Sequence, residues 1–247
     1  MIFRRFNITK KKQYRLVFIY GCPRSGTTWL WSMLETHSDV LPFTDGGIKD
    51  SLGKYETSES GVYIRNSKTA KKKILDFVKR NKNKLIIEKT PSHTLRYSII
   101  KRDFPNSKGL VILRNPLAIV NSMLKSKMKA FGEYDLEYSV KEVKKYFIAL
   151  RQILHDKSNH VVSYENLIQF TKVELADVML YLDLNTNEID NIISSNKGKT
   201  KVKVEGLLRK GLIDSYKEDL SVQDQMFIRE QLKEEILFFR SYTKNAQ

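Results

Sequence analysis

Gly21 to Trp29 read GCPRSGTTW, directly after a short apolar run and directly before a segment with the apolar spacing of a helix. Gly21 and Gly26 permit a tight turn, while loop N–H groups and a helix N-terminus offer hydrogen-bond donors and positive potential to an anion. Thr27 and Thr28 add two hydroxyls. This order of strand, turn and helix predicts a phosphate-binding loop. The alternative is an ordinary tight turn that caps a core helix.

The loop differs from the loops that bind nucleoside triphosphates. Those loops end in Gly-Lys-Ser/Thr, whose lysine reaches the phosphates and whose hydroxyl binds Mg²⁺. Here Gly26 is followed by Thr27 and Thr28, without the lysine. The sequence therefore disfavours a phosphate-loop kinase for a nucleotide or small molecule, which we keep as the alternative enzyme.

Apolar, largely β-branched runs alternate along the chain with segments of helical periodicity. This alternation predicts an α/β fold, one domain over residues 1–247 with a mostly parallel central sheet flanked by helices. Two capping-box spacings, Thr171 with Glu174 and Ser221 with Asp224, mark helix starts. The predicted strands are Leu16–Tyr20, Leu85–Ile87, Leu110–Leu113 and Val161–Tyr164. The predicted helices are Thr28–Thr36, Thr94–Arg102, Pro116–Lys127, Glu137–Leu154, Lys172–Leu182 and Val222–Phe239.

Three segments do not fit the alternation. Residues 1–14 form a basic N-terminal arm. Residues 44–83 and 195–216 contain glycine and many lysines. Because long segments beside the strand ends of an α/β fold usually cover the ligand, we expect lids or substrate-binding segments at 44–83 and 195–216.

The chain of 247 residues has a formal net charge of +16. This charge excludes an acidic, solvating protein and favours attraction to small anions, nucleic acid or anionic lipid headgroups, but it cannot choose between them. A non-enzymatic nucleic-acid-binding protein is therefore a second alternative. It is opposed by the lack of an aromatic-basic motif such as an RNA-recognition signature.

The single cysteine, Cys22, cannot form an intramolecular disulfide, which favours a reducing compartment. The basic start of the chain is not followed by an apolar run of secretory or membrane-spanning length. We therefore expect a cytoplasmic protein without a signal peptide or transmembrane segment. The four histidines stand too far apart in the sequence for a compact ligand set, so we expect no metal site.

A second basic motif, Arg114-Asn115-Pro116, follows the third predicted strand. Asn115 can cap a helix that has Pro116 in its first turn, and Ser122 follows Arg114 after about two helical turns. A guanidinium and a hydroxyl can close over one phosphate across such a gap. Taken alone the motif is weak, since an arginine at a strand end often pairs with a surface carboxylate.

A third basic motif, Arg209-Lys210-Gly211, lies in a segment without clear periodicity, shortly before Tyr216-Lys217. Adjacent cations before a glycine suit a flap that folds over an anion, because glycine permits close approach of the backbone. Taken alone, a solvated basic loop explains it better.

Together these motifs resemble sulfotransferases that use 3′-phosphoadenosine-5′-phosphosulfate (PAPS). GCPRSGTTW resembles their 5′-phosphosulfate loop, RNPLAIVNS their 3′-phosphate strand and helix, and LLRKGLIDSYKEDLS their RKG flap. The resemblance implies a P-loop NTPase-like sulfotransferase fold, PAPS as co-substrate and 3′,5′-adenosine bisphosphate (PAP) as product. It does not extend to residues 45–83 or 125–159, so it identifies no subfamily.

Carried over residue by residue, the resemblance implies a set of cofactor-binding residues. Arg24 stands where many members have a lysine that contacts the leaving phosphate. Trp29 matches the residue that stacks on adenine in the cytosolic type, with a core aromatic as its alternative. The other residues implied to bind the phosphates are Ser25, Gly26, Thr27, Thr28, Arg114, Ser122, Arg209, Lys210 and Gly211.

The predicted second strand leads into Glu88-Lys89-Thr90-Pro91, which resembles the second-strand motif of the family. Sulfuryl transfer needs charge stabilisation on the leaving phosphate and on the SO₃ group, and a base for the proton of the acceptor. The resemblance implies Arg24 for the leaving phosphate and Lys89 for the sulfuryl group.

The predicted site has three candidates for the base. The resemblance to carbohydrate sulfotransferases with a Glu-Lys pair implies Glu88, with His93 and Asp45 as further candidates. The histidine of the cytosolic type is missing, because Pro91 stands at its position. A salt-bridge role for Glu88 is the alternative, and Glu88 and Lys89 can share a site only if the strand ends there.

We therefore expect a sulfotransferase that acts on a hydroxyl, or less readily an amine, of a saccharide or small metabolite. The basic segments mildly favour an anionic acceptor. We expect no specific nucleic-acid partner, and the sequence leaves the oligomeric state open.

Overall fold

The structure, a computed structural model, describes residues 15–45, 59–126, 135–196 and 213–243. Its centre is a five-stranded sheet in the order β2-β3-β1-β4-β5, and all neighbouring strands are parallel. The α/β class and the parallel sheet predicted from the sequence are thus confirmed. The strands are β1 Leu16–Gly21, β2 Val40–Pro42, β3 Leu85–Lys89, β4 Lys108–Leu113 and β5 Asn159–Ser163.

Helices cover both faces of the sheet, so the strands are apolar on both sides. On one face Val17 and Ile19 pack with the core of α1, α7, α8 and α9, and on the other Phe18 and Tyr20 pack with α3, α5, α6 and the C-terminal helices. The helices are α1 Thr27–Leu34, α2 Val62–Arg65, α3 Ser67–Arg80, α4 Tyr97–Asp103, α5 Pro116–Leu124, α6 Leu136–His155, α7 Tyr164–Gln169, α8 Thr171–Tyr181, α9 Ile189–Asn196, α10 Tyr216–Asp219, α11 Val222–Gln231 and α12 Lys233–Thr243, with 3₁₀ helices at Pro91–Arg96 and Thr186–Glu188.

The register aligns the carboxyl ends of the three middle strands. Ile19 of β1 pairs with Lys89 of β3, and Gly21 pairs with Ile112 of β4. The loop after Gly21, the end of β3 and Arg114 after β4 therefore meet at one edge of the sheet. Ligands of open α/β sheets bind at this edge.

Several elements differ from the sequence prediction. We missed β2, a three-residue edge strand that ends in Pro42 and is too short to show a pattern. We also missed α3, which lies inside the segment 44–83, where we expected a lid or substrate-binding segment and no helix. Its buried residues Ala70, Ile74 and Val78 recur every four positions, but lysines between them obscure the stripe.

The helix predicted over Val222–Phe239 is two helices, because Leu232 leaves the helical conformation and is fully buried. The predicted cap at Ser221 is confirmed, since its hydroxyl accepts from Asp224 N at 3.0 Å. The cap predicted at Thr171 is wrong. Its hydroxyl instead donates to Leu167 O at 2.7 Å and so closes α7.

Candidate active site

The loop between β1 and α1 is a tight turn with two left-handed residues. Arg24 has φ 70° and Gly26, the N-cap of α1, has φ 99°. A Cβ added to Gly26 would lie 2.3 Å from the ring of Tyr164, so only glycine fits there. Thr94 anchors the start of the loop, because its hydroxyl donates to Gly21 O at 3.0 Å and accepts from Gly21 N at 2.9 Å.

Arg24 and Arg114 connect this loop to the end of β4 and to α5. Arg24 Nε donates to Ser122 Oγ at 3.1 Å, and Arg114 Nη1 donates to Arg24 O at 2.8 Å. Asn115 caps α5 as predicted, since its side chain accepts from Leu117 N at 3.0 Å. The first two basic motifs of the sequence therefore form one site.

Two buried polar atoms in this site have no partner within the described part of the protein: Ser25 Oγ and Arg114 Nε. A buried donor without a partner is costly, so both atoms suit the oxygens of an anionic ligand. Arg114 also lies over the ring of Tyr164, 4.2 Å from its centroid. Burial lowers the pKa of Arg114, an effect that Tyr164 and Glu165 partly oppose. These residues fit the phosphates of PAPS.

Trp29 is half-buried and packs against the core on the α1 side of the sheet. Its ring contacts Tyr164 edge-on, with centroids 6.1 Å apart. Trp31, two residues further along α1, is buried. The core alternative for Trp29 therefore agrees with its packing, and its stacking role on adenine stays a prediction.

Lys89 ends β3 at the same edge, and its side chain is only 1% exposed. Its ammonium group donates to Thr28 Oγ1 at 3.1 Å and contacts Glu59 Oε1 at 3.3 Å. It also lies 5.9 Å from the ring centroid of Trp31. Lys89 thus lies directly beside the loop between β1 and α1, and its role at the sulfuryl group stays a prediction.

Glu88 points to the opposite side of the strand, because side chains alternate and β3 ends only at Lys89. It is fully buried. Its Oε1 accepts from Ser60 Oγ at 2.6 Å and from Thr90 Oγ1 at 2.7 Å, and its Oε2 lies 2.9 Å from His93 Nδ1. Burial raises the pKa of Glu88, but His93 and the hydrogen bonds from His93, Ser60 and Thr90 outweigh it and hold that pKa below its usual value.

Asp45, the third candidate base, follows β2 and has a partly exposed side chain. Its backbone is left-handed, with φ 45°. The carboxylate pairs with Arg65 at 3.1 Å and with Lys73 at 2.8 Å. Asp45 therefore lies at the carboxyl edge of the sheet, held between two cations.

The remaining predicted residues, Arg209, Lys210 and Gly211, lie outside the described residues, and their role stays a prediction. The segment that follows them contacts the site, since the Tyr216 hydroxyl lies 3.4 Å from Asn115 Nδ2. Sequence reasoning missed Glu59, Tyr164 and Thr94, which reach the site from distant parts of the chain. For Thr94 the sequence offers one signal: Pro91 marks the start of a helix just after β3, and Thr94 lies in that helix.

Within the described residues, no group of three or more His, Cys, Asp or Glu side chains could hold a metal ion. None of the helices in this part of the chain combines the length and apolar character needed to cross a bilayer.

A parallel α/β sheet with a glycine-containing loop between its central strand β1 and a helix defines a P-loop-like fold. The model of the sulfotransferase family matches residues 54–188, more than half of the chain. The protein belongs to the sulfotransferase family. This confirms the resemblance predicted from the sequence, the enzyme class and PAPS as the sulfuryl donor of that class.

Curated relatives include protein-tyrosine sulfotransferase 2 of Gallus gallus, 32% identical over 141 residues, which are 51% of this chain and 38% of that protein. Protein-tyrosine sulfotransferase of Drosophila melanogaster is 24% identical over 200 residues, 72% of this chain and 40% of that protein. The chain thus matches less than half the length of these two relatives.

Among solved structures, mouse sulfotransferase SULT7A1 complexed with PAP superposes with a TM-score of 0.63 and 14% identity, over 94% of this chain and 89% of that chain. The sulfotransferase domain from the curacin biosynthetic pathway gives a TM-score of 0.60 and 18% identity, over 88% of this chain and 96% of that chain. Both share the fold described above.

Proposed function

We propose that this protein transfers the sulfuryl group of PAPS to the phenolic hydroxyl of a tyrosine in a polypeptide. The observation that carries the acceptor is the match to protein-tyrosine sulfotransferases of two animals. These relatives favour tyrosine over the saccharide or small metabolite expected from the sequence. The reacting group is still a hydroxyl, as expected.

The proposal assigns the donor to the site at the edge of the sheet. When bound, PAPS supplies an activated sulfuryl group on a good leaving phosphate. Ser25 and the loop N–H groups would hold its 5′-phosphosulfate, and Arg114 with Ser122 would hold its 3′-phosphate. The partnerless Ser25 Oγ and Arg114 Nε support this assignment.

Two cations would stabilise the negative charge that develops on the leaving phosphate and the sulfuryl group during transfer. Arg24 supports the leaving phosphate, and Lys89 supports the sulfuryl oxygens. Because Lys89 is buried and held by Thr28 and Glu59, its ammonium group is already in place beside the loop and needs no rearrangement.

Asp45 takes the proton of the phenol in this proposal. A general base must come within about 2.6–3.2 Å of the proton that it removes. Glu88 points away from Lys89 across the strand, and His93 bonds to it on that side, so neither faces an acceptor beside Lys89. The side chain of Asp45 is 23% exposed at the same edge as Lys89.

The proposal is tested with PAPS labelled at sulfur and three acceptors: a tyrosine peptide, the same peptide with phenylalanine, and an uncharged oligosaccharide. We expect label on the tyrosine peptide alone. Label on the oligosaccharide without label on the tyrosine peptide would overturn the acceptor assignment.

A further inference from the structure

We infer that Glu88 is a positioning residue, which fixes the segment 59–65 beside the reacting groups through Ser60, Thr90 and His93. This inference rests on the proposed function, because it concerns how the sulfuryl-transfer site is held. We use the name buried hub for the four side chains of Glu88, Ser60, Thr90 and His93. All four are at most 1% exposed.

The buried hub satisfies three consecutive backbone donors at the start of α2. Gly61 N donates to Thr90 Oγ1 at 3.1 Å, Val62 N to Ser60 Oγ at 3.3 Å, and Tyr63 N to His93 Nε2 at 3.2 Å. The first N–H groups of a helix have no partner within the helix. Here each one finds a side chain that also bonds to Glu88.

The negative charge of Glu88 sets the direction of all these bonds. An ionised carboxylate only accepts, and a hydroxyl has a single proton to give. Ser60 and Thr90 must therefore point their protons at Glu88, which leaves their lone pairs for the backbone. His93 likewise places its proton on Nδ1, so that Nε2 can accept from Tyr63 N.

The segment that is fixed in this way carries groups to both sides of the site. Glu59, immediately before Ser60, contacts Lys89 Nζ at 3.3 Å. Arg65, at the end of α2, donates to the carboxylate of Asp45 at 3.1 Å and also to Ser60 O. The buried hub thus connects the placement of Lys89 to that of Asp45, although Glu88 itself cannot touch a substrate.

Glu88→Gln tests this inference because it keeps the shape and removes the charge. In either orientation the amide puts N–H donors against Ser60 and Thr90 or against His93, so at least one bond direction must reverse. Thr90→Val is the matched variant, since it is nearly isosteric, leaves the carboxylate in place and removes the link to Gly61.

The first measurement is hydrogen exchange on the full chain. We expect Gly61, Val62 or Tyr63 amides to exchange about tenfold faster or more in both variants, as follows from losing a hydrogen bond to a charged network. Amides of β4 should be unchanged. This readout needs no acceptor, so it tests the buried hub even if the proposed acceptor is wrong.

The second measurement is the pH dependence of turnover with PAPS and the tyrosine peptide. The groups that face Glu88 are His93, Tyr20 and Tyr63, and those that face Asp45 are Arg65 and Lys73. A proton acceptor must be ionised, so kcat/KM falls on the acid side of its titration. We expect both Glu88→Gln and Thr90→Val to lower kcat, by up to roughly 10²-fold, and both to keep this acid limb, whereas Asp45→Asn loses it.

The inference is overturned if Glu88→Gln removes the acid limb, as a base would. It is also overturned if Thr90→Val leaves either turnover or exchange at the wild-type level, and this second criterion decides the question if Glu88→Gln does not fold. Absence of any transfer by the wild type would instead refute the proposed function.

Discussion

At the scale of single residues, Arg114 has one observed role and one predicted role, which an experiment can separate. It supports the loop by donating to Arg24 O, and its Nε, which has no partner among the described residues, is predicted to bind a phosphate. If it binds the 3′-phosphate, Arg114→Ala should weaken PAP by about 1.5–3 kcal/mol, the range of a hydrogen bond to a charged group. AMP, which has no 3′-phosphate, should lose less.

Titration calorimetry with PAP and AMP measures the difference. Ser122→Ala is the companion variant, because its hydroxyl would also bond to the charged 3′-phosphate, so it too should weaken PAP more than AMP. Equal losses for the two nucleotides in Arg114→Ala would show that Arg114 acts only through the backbone of Arg24.

Continuity along the chain explains which residues of the site could be predicted from the sequence. Arg24 to Trp29, and Arg114 with Ser122, stand in continuous motifs, so neighbours in the chain are neighbours in the site. Glu59 reaches Lys89 across 30 residues. No local pattern encodes that contact. Whether Glu88 faces the site depended on where β3 ends, and strand ends are the least predictable feature of a sequence.

At the scale of elements, α1 can begin only because residue 26 is glycine. Gly26→Ala would place a side chain at φ 99° and 2.3 Å from the Tyr164 ring. The left-handed backbone alone costs about 1–2 kcal/mol, and the clash adds to it. We expect a lower urea midpoint and loss of PAP binding.

Urea unfolding and PAP titration of the same sample test this prediction. Ser25→Ala serves as the control, since it should weaken PAP while leaving the urea midpoint close to the wild-type value. Normal stability and normal PAP affinity in Gly26→Ala would contradict the close packing of the loop against Tyr164.

The elements that the sequence predicted are those whose pattern is set by burial on both faces. β1, β3, β4 and β5 read as apolar runs because helices cover the whole sheet. β2 is a short edge strand, and α3 covers the sheet with a narrow apolar stripe between lysines. β2 and α3 are stabilised by tertiary contacts more than by local sequence, so neither has a clear hydrophobic pattern in the sequence.

At the scale of the whole molecule, the strand order creates the site. β1 lies between β3 and β4, and the loop to α1 follows its carboxyl end. At the same edge of the sheet, β3 ends in Lys89, and Arg114 follows β4. This is the switch point at which open α/β sheets bind ligands. The net charge of +16 adds a long-range attraction for anions that is not specific to any one of them.

Thermal unfolding of the intact protein with PAP, ATP with Mg²⁺, and AMP at equal concentrations tests whether the site selects a 3′-phosphate among the anions that this charge attracts. A ligand at about 100 times its dissociation constant stabilises the folded state by about 2.7 kcal/mol. For a chain of this size that is a rise in Tm of roughly 5–10 °C. PAP should give the largest rise, because Arg114 and Ser122 suit a 3′-phosphate that ATP and AMP lack. Equal or greater stabilisation by ATP with Mg²⁺ would contradict the assignment of Arg114 and Ser122 to a 3′-phosphate.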